Sequence, residues 1–258
     1  DRKTLEAHCI DRLNRIDASA LLRAADAELC RRSLSHYITR AWPILEPGRR
    51  FIPGWPVDAI AEHLEAVSRG EIRRLLMNVP PGTMKSLTTR VFWPTWEWGP
   101  KGQANTRFIG ASYAQHLAER DNRRARTIIN SPWYRDRFKV RLSDDQATKT
   151  NFANTKTGWM FSTSVRGIGT GERADRFIID DPHNVLEGES TVRREETLLW
   201  FSETVPSRLN DLERSVIIII MQRVHEEDVS AMAQELGYDH LLIPMHYDEA
   251  RAKPTSIG

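Results

Sequence analysis

The sequence predicts an α/β fold: a doubly wound, mostly parallel sheet with helices on both faces, preceded by a helical N-terminal segment. Three observations carry this. From residue 73 onward, short apolar runs alternate with helix-length stretches. The apolar runs are hydrophobic throughout, as expected of strands covered on both faces. Polar, chemistry-bearing residues directly follow those runs, at the strand ends where open α/β sheets bind their ligands.

Taken in order, residues 1–46 form the helical N-terminal segment. Leu13, Ile16, Leu21, Leu22, Ala25 and Leu29 recur there at three- and four-residue steps. "PGRRFIPGWP" (47–56) is a connector, followed by a short amphipathic helix over roughly 57–68. Residues 47–250 then form the main domain. "RRLLMNV" is a strand, and 85 to about 98 a helix. "TRFIGAS" is a strand, and 114–130 a helix ended by Ser-Pro. "GWMFSTS" and "RFIIDD" are strands, 190 to about 203 a helix, and "SVIIIIM" a strand. A helix over 226–236 and a last strand, "HLLIP", complete the pattern.

Composition bounds the function classes. The chain has 258 residues, 40% of them hydrophobic and 28% charged, so it can bury a sizeable core. Lys and Arg number 37 against 35 Asp and Glu, and net charge alone does not announce a nucleic-acid binder. Two cysteines, Cys9 and Cys30, make a disulfide framework unexpected and favour a reducing, intracellular setting. The longest apolar run, "VIIIIM", falls far short of the ~20 residues needed to span a bilayer. The N-terminus does not read as a signal peptide, and no membrane partner is expected.

The stretch "NVPPGTMKS" carries the first chemistry. An apolar strand ends at Val79, a Pro-Pro-Gly turn follows, and a helix starts near Lys85. That is the setting of a P-loop, in which backbone N–H groups at a helix N-terminus cradle phosphate. Pro81, Gly82, Thr83, Met84, Lys85 and Ser86 are the candidate nucleotide-binding residues. Lys85 would reach the β- and γ-phosphates, and the Ser86 hydroxyl would bind Mg²⁺. The pattern G-x-x-x-x-G-K-[ST] is incomplete, because Val79 and Met84 replace its two glycines. Gly82 can supply part of the missing freedom.

The second chemistry is "RFIIDDP", an apolar strand ending in two acids. It matches a Walker B strand, with Asp180 on Mg²⁺ and Asp181 where a second acid, commonly Glu, polarises the attacking water. Together the two motifs predict a nucleoside triphosphatase of the P-loop (ASCE-type) class, with ATP and Mg²⁺ as its cofactors.

With both motifs placed, the chain resembles the ATPase domain of the large terminase subunit of tailed bacteriophages, the motor that packages DNA into procapsids. The resemblance runs from about residue 47 to the end. It rests on "NVPPGTMKS", "ASYAQHLAERDNRRARTIINSPWY", "SVRGIGTGERADRFIIDDPHN" and "IIIIMQRVHEEDVS", in that order and spacing. It implies an arginine finger at Arg166, with Arg173 and Arg176 as nearby competitors. It implies a γ-phosphate-sensing coupling segment at "MQR", where Gln222 is chemically suited because an amide both donates and accepts. It places part of the adenine site before the P-loop, at Trp55 or the "GRRF" run. It also implies double-stranded DNA, a portal protein and a small terminase subunit as partners, a homo-oligomeric ring on the procapsid, and the host cytoplasm as location. Residues 251–258 would begin a linker to a C-terminal nuclease domain absent from this chain.

The 114–130 helix sets Ala114, Leu117, Ala118, Ala125, Ile128 and Ile129 on one face and Arg120, Arg123 and Arg124 on the other. Such arginines can track DNA phosphates without reading sequence. Arg135, Arg137, Lys139 and Arg141 form a second basic candidate. His183, His225, His240 and His246 lack metal-ligand spacing and are expected to be structural, and Trp93, Trp96 and Trp98 to be core. Two other classes stay open: an ATP-dependent helicase or repair translocase on a related core, and a nucleotide-binding scaffold that does not hydrolyse.

Overall fold

The computed structural model describes residues 17–143, 148–165, 167, 171–184, 190–246 and 249–257. Seven strands form one sheet in the order β3-β4-β2-β5-β6-β1-β7. They are β1 (Arg74–Asn78), β2 (Phe108–Ser112), β3 (Asn151–Ala153), β4 (Trp159–Ser164), β5 (Arg176–Asp180), β6 (Val216–Met221) and β7 (Asp239–Leu242). Every pairing is parallel except that of β3 with β4 at one edge. The sheet is therefore α/β and mostly parallel, as the alternation of apolar runs and helices implies.

The period-two geometry of the strands divides the core into two layers. Leu75, Met77, Phe108, Ile178, Ile218 and Ile220 point to one face and join a cluster with residues of the N-terminal helices. Leu76, Ile109, Phe177, Ile179, Ile217 and Ile219 point to the other and join Phe201, Val205, Val229 and Ala233. All six residues of β6 are buried. At ~1.5–3 kcal/mol for each large apolar side chain buried, this strand anchors the sheet.

On the first face lie α1 (Ala18–Arg32), α2 (Leu34–Leu45), α3 (Trp55–Arg69), the helix after β1, α5 (Gln115–Asn130) and α6 (Pro132–Phe138). The helix after β1, here α4, runs as Lys85–Leu87, a π-helical turn Thr88–Phe92, and Trp93–Trp98. On the second face lie α7 (Thr191–Leu199), extended by Trp200–Thr204 and Val205–Ser207, and α8 (Val229–Glu235).

Local chemistry sets several boundaries. Pro56 in the first turn starts α3, and Gly70, at φ +83°, ends it. The Ser131 hydroxyl accepts from the Tyr134 N–H, so one residue closes α5 and caps α6. Asp228 caps α8 by accepting from the N–H groups of Ser230 and Ala231. Trp93, Trp96 and Trp98 are core, their indole N–H groups donating to Ser68 Oγ, the Cys30 carbonyl and the Thr106 carbonyl.

The N-terminal segment is helical over α1, as its spacing implies, but Leu21, Leu22 and Leu29 are exposed and Cys30 is its buried residue. Leu13 and Ile16 lie outside the described residues. The 114–130 helix buries Asp121 and Asn122 beside its apolar residues, so its buried face is not purely apolar. Among the described residues, no helix is long and apolar enough to cross a membrane.

Candidate functional site

The site is built from the carboxyl ends of β1, β5 and β6, which are neighbours in the sheet. At the end of β1, the Asn78 side-chain oxygen accepts from Ser230 Oγ at 2.8 Å and lies 2.8 Å from His240 Nε2. Its backbone carbonyl accepts from the Ile243 N–H, and the Val79 N–H donates to the Met221 carbonyl. The loop that follows is thus fixed at its root to β6, α8 and the end of β7.

Within the loop, Gly82 has φ +84°, and Thr83 Oγ1 donates to the Pro80 carbonyl at 2.8 Å. Met84 adopts φ +61° and ψ +16°, a left-handed conformation that opposes its Cβ. The chain therefore makes at Met84 a left-handed turn of the kind that favours glycine. Lys85 starts α4 with its side chain buried.

The acids of β5 meet these residues. Lys85 Nζ lies 2.6 Å from Asp181 Oδ1, and Ser86 Oγ donates to Asp180 Oδ1 at 3.0 Å. Asp181 Oδ1 also accepts from the Gln222 backbone N–H at 3.1 Å. Asp181 has φ +44°, so the chain turns sharply as it leaves the strand. The Asp181 N–H donates to the Ile220 carbonyl, and its own carbonyl accepts from the Tyr113 N–H. β2, β5 and β6 thus hold this residue together.

Asp180 is buried, and its carboxyl is pushed up to about 7, by burial first and then by the charges of Asp181 and Asp121. The Ser86 hydroxyl and Arg90 work in the opposite direction. The half-buried Ser86 hydroxyl and the buried Asp180 carboxylate, at hydrogen-bond distance, are a donor set that suits a small hard cation. His183 Nε2 accepts from the Val229 N–H at 3.1 Å, and burial holds the ring below its ordinary range, as an acceptor requires.

No protein-family model matches this chain, and no curated protein matches it.

The structure brings together Lys85, Ser86, Asp180, Asp181 and Gln222. Gln222 reaches the cluster through its main-chain N–H. Beside the loop lies a cleft of about 1020 Å³, lined by Phe51, Ile52, Pro53 and Val57 on one side and by Gly82, Thr83 and Met84 on the other. The "GRRF" run lines it through Arg49, Arg50 and Phe51, while Trp55 is largely exposed and is not among its lining residues. Pro81 is exposed at the loop tip.

Arg166 lies outside the described residues. Its competitor Arg176 opens β5, ~13 Å of strand from Asp180 at about 3.3 Å per residue. There it is committed to the buried Glu97 at 3.3 Å. Arg173 precedes that same strand end and is exposed.

The three candidate arginines of α5 are not equivalent. Arg120 and Arg124 lean on the buried Asp121, at 3.1 and 3.9 Å, while Arg123 is exposed and lines a surface groove with Arg126. In the second basic candidate, Arg137 pairs with Asp26 at 2.6 Å.

Sequence reasoning gave no role to Asn78, which roots the loop on α8 and β7, or to Arg90 and Asp121, whose charges act on Asp180. A polar residue ending an apolar strand was the available signal for Asn78. Elsewhere, Asp26, Cys30 and His36 bring ligand-type atoms within 4.8 Å of one another. They do not suit a cation: Asp26 is engaged by Arg40 and Arg137, and burial pushes the Cys30 thiol up to about 12.

Proposed function

We propose that this chain is the ATPase motor domain of a viral large terminase, coupling Mg²⁺-dependent ATP hydrolysis to the translocation of double-stranded DNA into procapsids. One observation carries the hydrolase part of this reading. Lys85 and Ser86, opening a helix after one parallel strand, lie against Asp180 and Asp181 at the end of another. The terminase assignment rests on the resemblance of the four motif segments and their order.

The residues divide the work by position. Met84 and Gly82 turn the loop so that the N-terminus of α4 faces the strand ends, where N–H groups favour phosphate. Lys85 is the buried cation available to the β- and γ-phosphates, which would compete for it with Asp181. Ser86 and Asp180 are the residues that would hold Mg²⁺. When bound, that ion would supply positive charge against the negative charge that develops in transfer. Asp181, released from Lys85 by the incoming phosphates, is the carboxylate free to accept a hydrogen bond from the attacking water. Its alignment by the Gln222 N–H ties the water-directed acid to the end of β6. The cleft beside Met84 is apolar enough to take the flat face of adenine, with Phe51 on its wall.

The motor part of the reading assigns DNA contact to α5, with Arg123 its most exposed arginine. Turnover of ATP by the purified chain, with and without DNA, tests the proposal. Hydrolysis is expected in the parent protein and a loss of at least ~10²-fold in Lys85→Ala and Asp181→Ala, the scale of losing a transition-state contact. Hydrolysis that persists in both variants would refute the site. Hydrolysis coupled to strand separation rather than packaging would move the reading to a helicase.

A further inference from the structure

The least expected group in the core is the guanidinium of Arg90. Arg90 lies in the π-helical turn of α4 and is only 7% exposed. Its Nε has no hydrogen-bond partner among the described residues, and its Nη2 reaches Ser162 Oγ at a long 3.4 Å. A buried cation with so few hydrogen bonds needs compensating charge. The two carboxylates whose charges act on it are Asp121 of α5 and Asp180 of β5.

The sheet is shaped to receive this side chain. A Cβ at Gly110 of β2 would fall 0.9 Å from Arg90 Nη1 and 1.8 Å from its Cζ, so the guanidinium rests directly on the backbone there. Gly110 pairs with Ser162 of β4 on one side and Ile178 of β5 on the other. Residues two apart on a strand share a face, and Asp180 is two residues beyond Ile178. Arg90 therefore lies under Asp180, on the same face of the sheet and on the side away from the strand ends. No requirement of α/β packing puts a glycine and an arginine there. An apolar pair would fill the space without the cost of burying charge.

We infer that Arg90, seated on Gly110, is a positioning residue for Asp180: it holds that carboxylate from beneath in the orientation in which Ser86 and Asp180 take a divalent cation, and Asp121 balances its charge. This rests on the nucleotide-hydrolysis reading of the site. Arg90 touches neither nucleotide nor metal and acts through Asp180.

Mn²⁺ serves as the probe, titrated by electron paramagnetic resonance onto the full chain with a non-hydrolysable ATP analogue. Gly110→Ala pushes the guanidinium from its seat while keeping every charge, and Arg90→Lys keeps the charge while losing the planar fork. Both are expected to weaken Mn²⁺ binding by roughly 10–100-fold, the usual consequence of disturbing a partner behind a metal ligand. Affinity for the analogue without metal should stay unchanged, and kcat should fall with little change in KM for ATP. Arg90→Met should do the same, and adding Gly110→Ala to it should bring no further loss, because the side chain that the new methyl would strike is gone. Folded Gly110→Ala and Arg90→Lys proteins with parental Mn²⁺ affinity would overturn the role of Arg90 alone. A parent chain that binds no Mn²⁺ with the analogue would overturn this role and the hydrolysis reading together.

Discussion

Replacing Met84 by glycine and, separately, by alanine isolates the backbone of the loop from its side chain. Both variants lose the same half-buried thioether, which packs against the first-face core. That loss is a fraction of the ~1.5–3 kcal/mol of a full burial and cancels between the two. What remains is the conformation. At φ +61° and ψ +16° a residue with a Cβ carries about 1–2 kcal/mol of strain, which alanine retains and glycine relieves. Glycine gives back about 0.5–1 kcal/mol through the greater freedom of its unfolded chain. The balance makes Met84→Gly more stable than Met84→Ala by about 0.5–1 kcal/mol. At an ordinary helical position the order is the reverse, with glycine about 1 kcal/mol worse. Urea unfolding of the two variants, compared at a common m-value, reads the difference from the midpoints. An alanine variant as stable as the glycine variant, or more so, would refute the left-handed assignment at Met84 and the claim that this loop makes the glycine turn without glycine.

Two further outcomes are expected. The Asp180 carboxyl is raised in the folded chain to about 7, above the ~3.9 of an unfolded aspartate, so folding favours its protonated form. Its contribution is fully present below the unfolded value and is lost as pH rises through the folded one. With divalent cations chelated, the parent should lose up to a few kcal/mol between pH 5 and pH 8, at about 1.4 kcal/mol per pKa unit, and Asp180→Asn should remove that slope in thermal or urea unfolding. Glu97 is wholly buried and binds Arg176 and Ser68 Oγ, so Glu97→Ala should cost about 3–5 kcal/mol by leaving Arg176 without its anion; a loss under about 1 kcal/mol would show the pair to be dispensable.

The parallel core was legible because strands buried on both faces must be apolar throughout, and "VIIIIM" or "RFII" can serve as little else. The edge strand β3 was not: three residues, Asn151–Ala153, are too few for any periodicity, and its antiparallel pairing with β4 is centred on Phe152 and Met160. In α1, the helical spacing of the leucines reports which residues share a side and says nothing of what covers it, and they are exposed. The heart of the site was visible because Lys85-Ser86 follow an apolar strand across one short turn and Asp180-Asp181 close another. The main-chain hydrogen bond from Gln222 to Asp181 was less visible, since side-chain identity leaves no trace in such a contact. Arg90 and Asp121 were hidden for another reason. A charge in an amphipathic helix reads as solvated until its partner on a different element is known, and here each buried charge lies near the other.

The left-handed turn at Asp181 carries a constraint on how this chain can evolve. Aspartate is among the few residues other than glycine that enter this region readily, whereas glutamate does so less easily. Lengthening the acid by one methylene would add backbone strain and carry the carboxylate past the Lys85 ammonium and the Gln222 N–H that now share one of its oxygens. The shorter acid is therefore locked in by main-chain geometry as much as by chemistry. A lineage exchanging it for glutamate would have to rebuild the turn first, and the residue before Pro182 records which of the two routes a relative has taken.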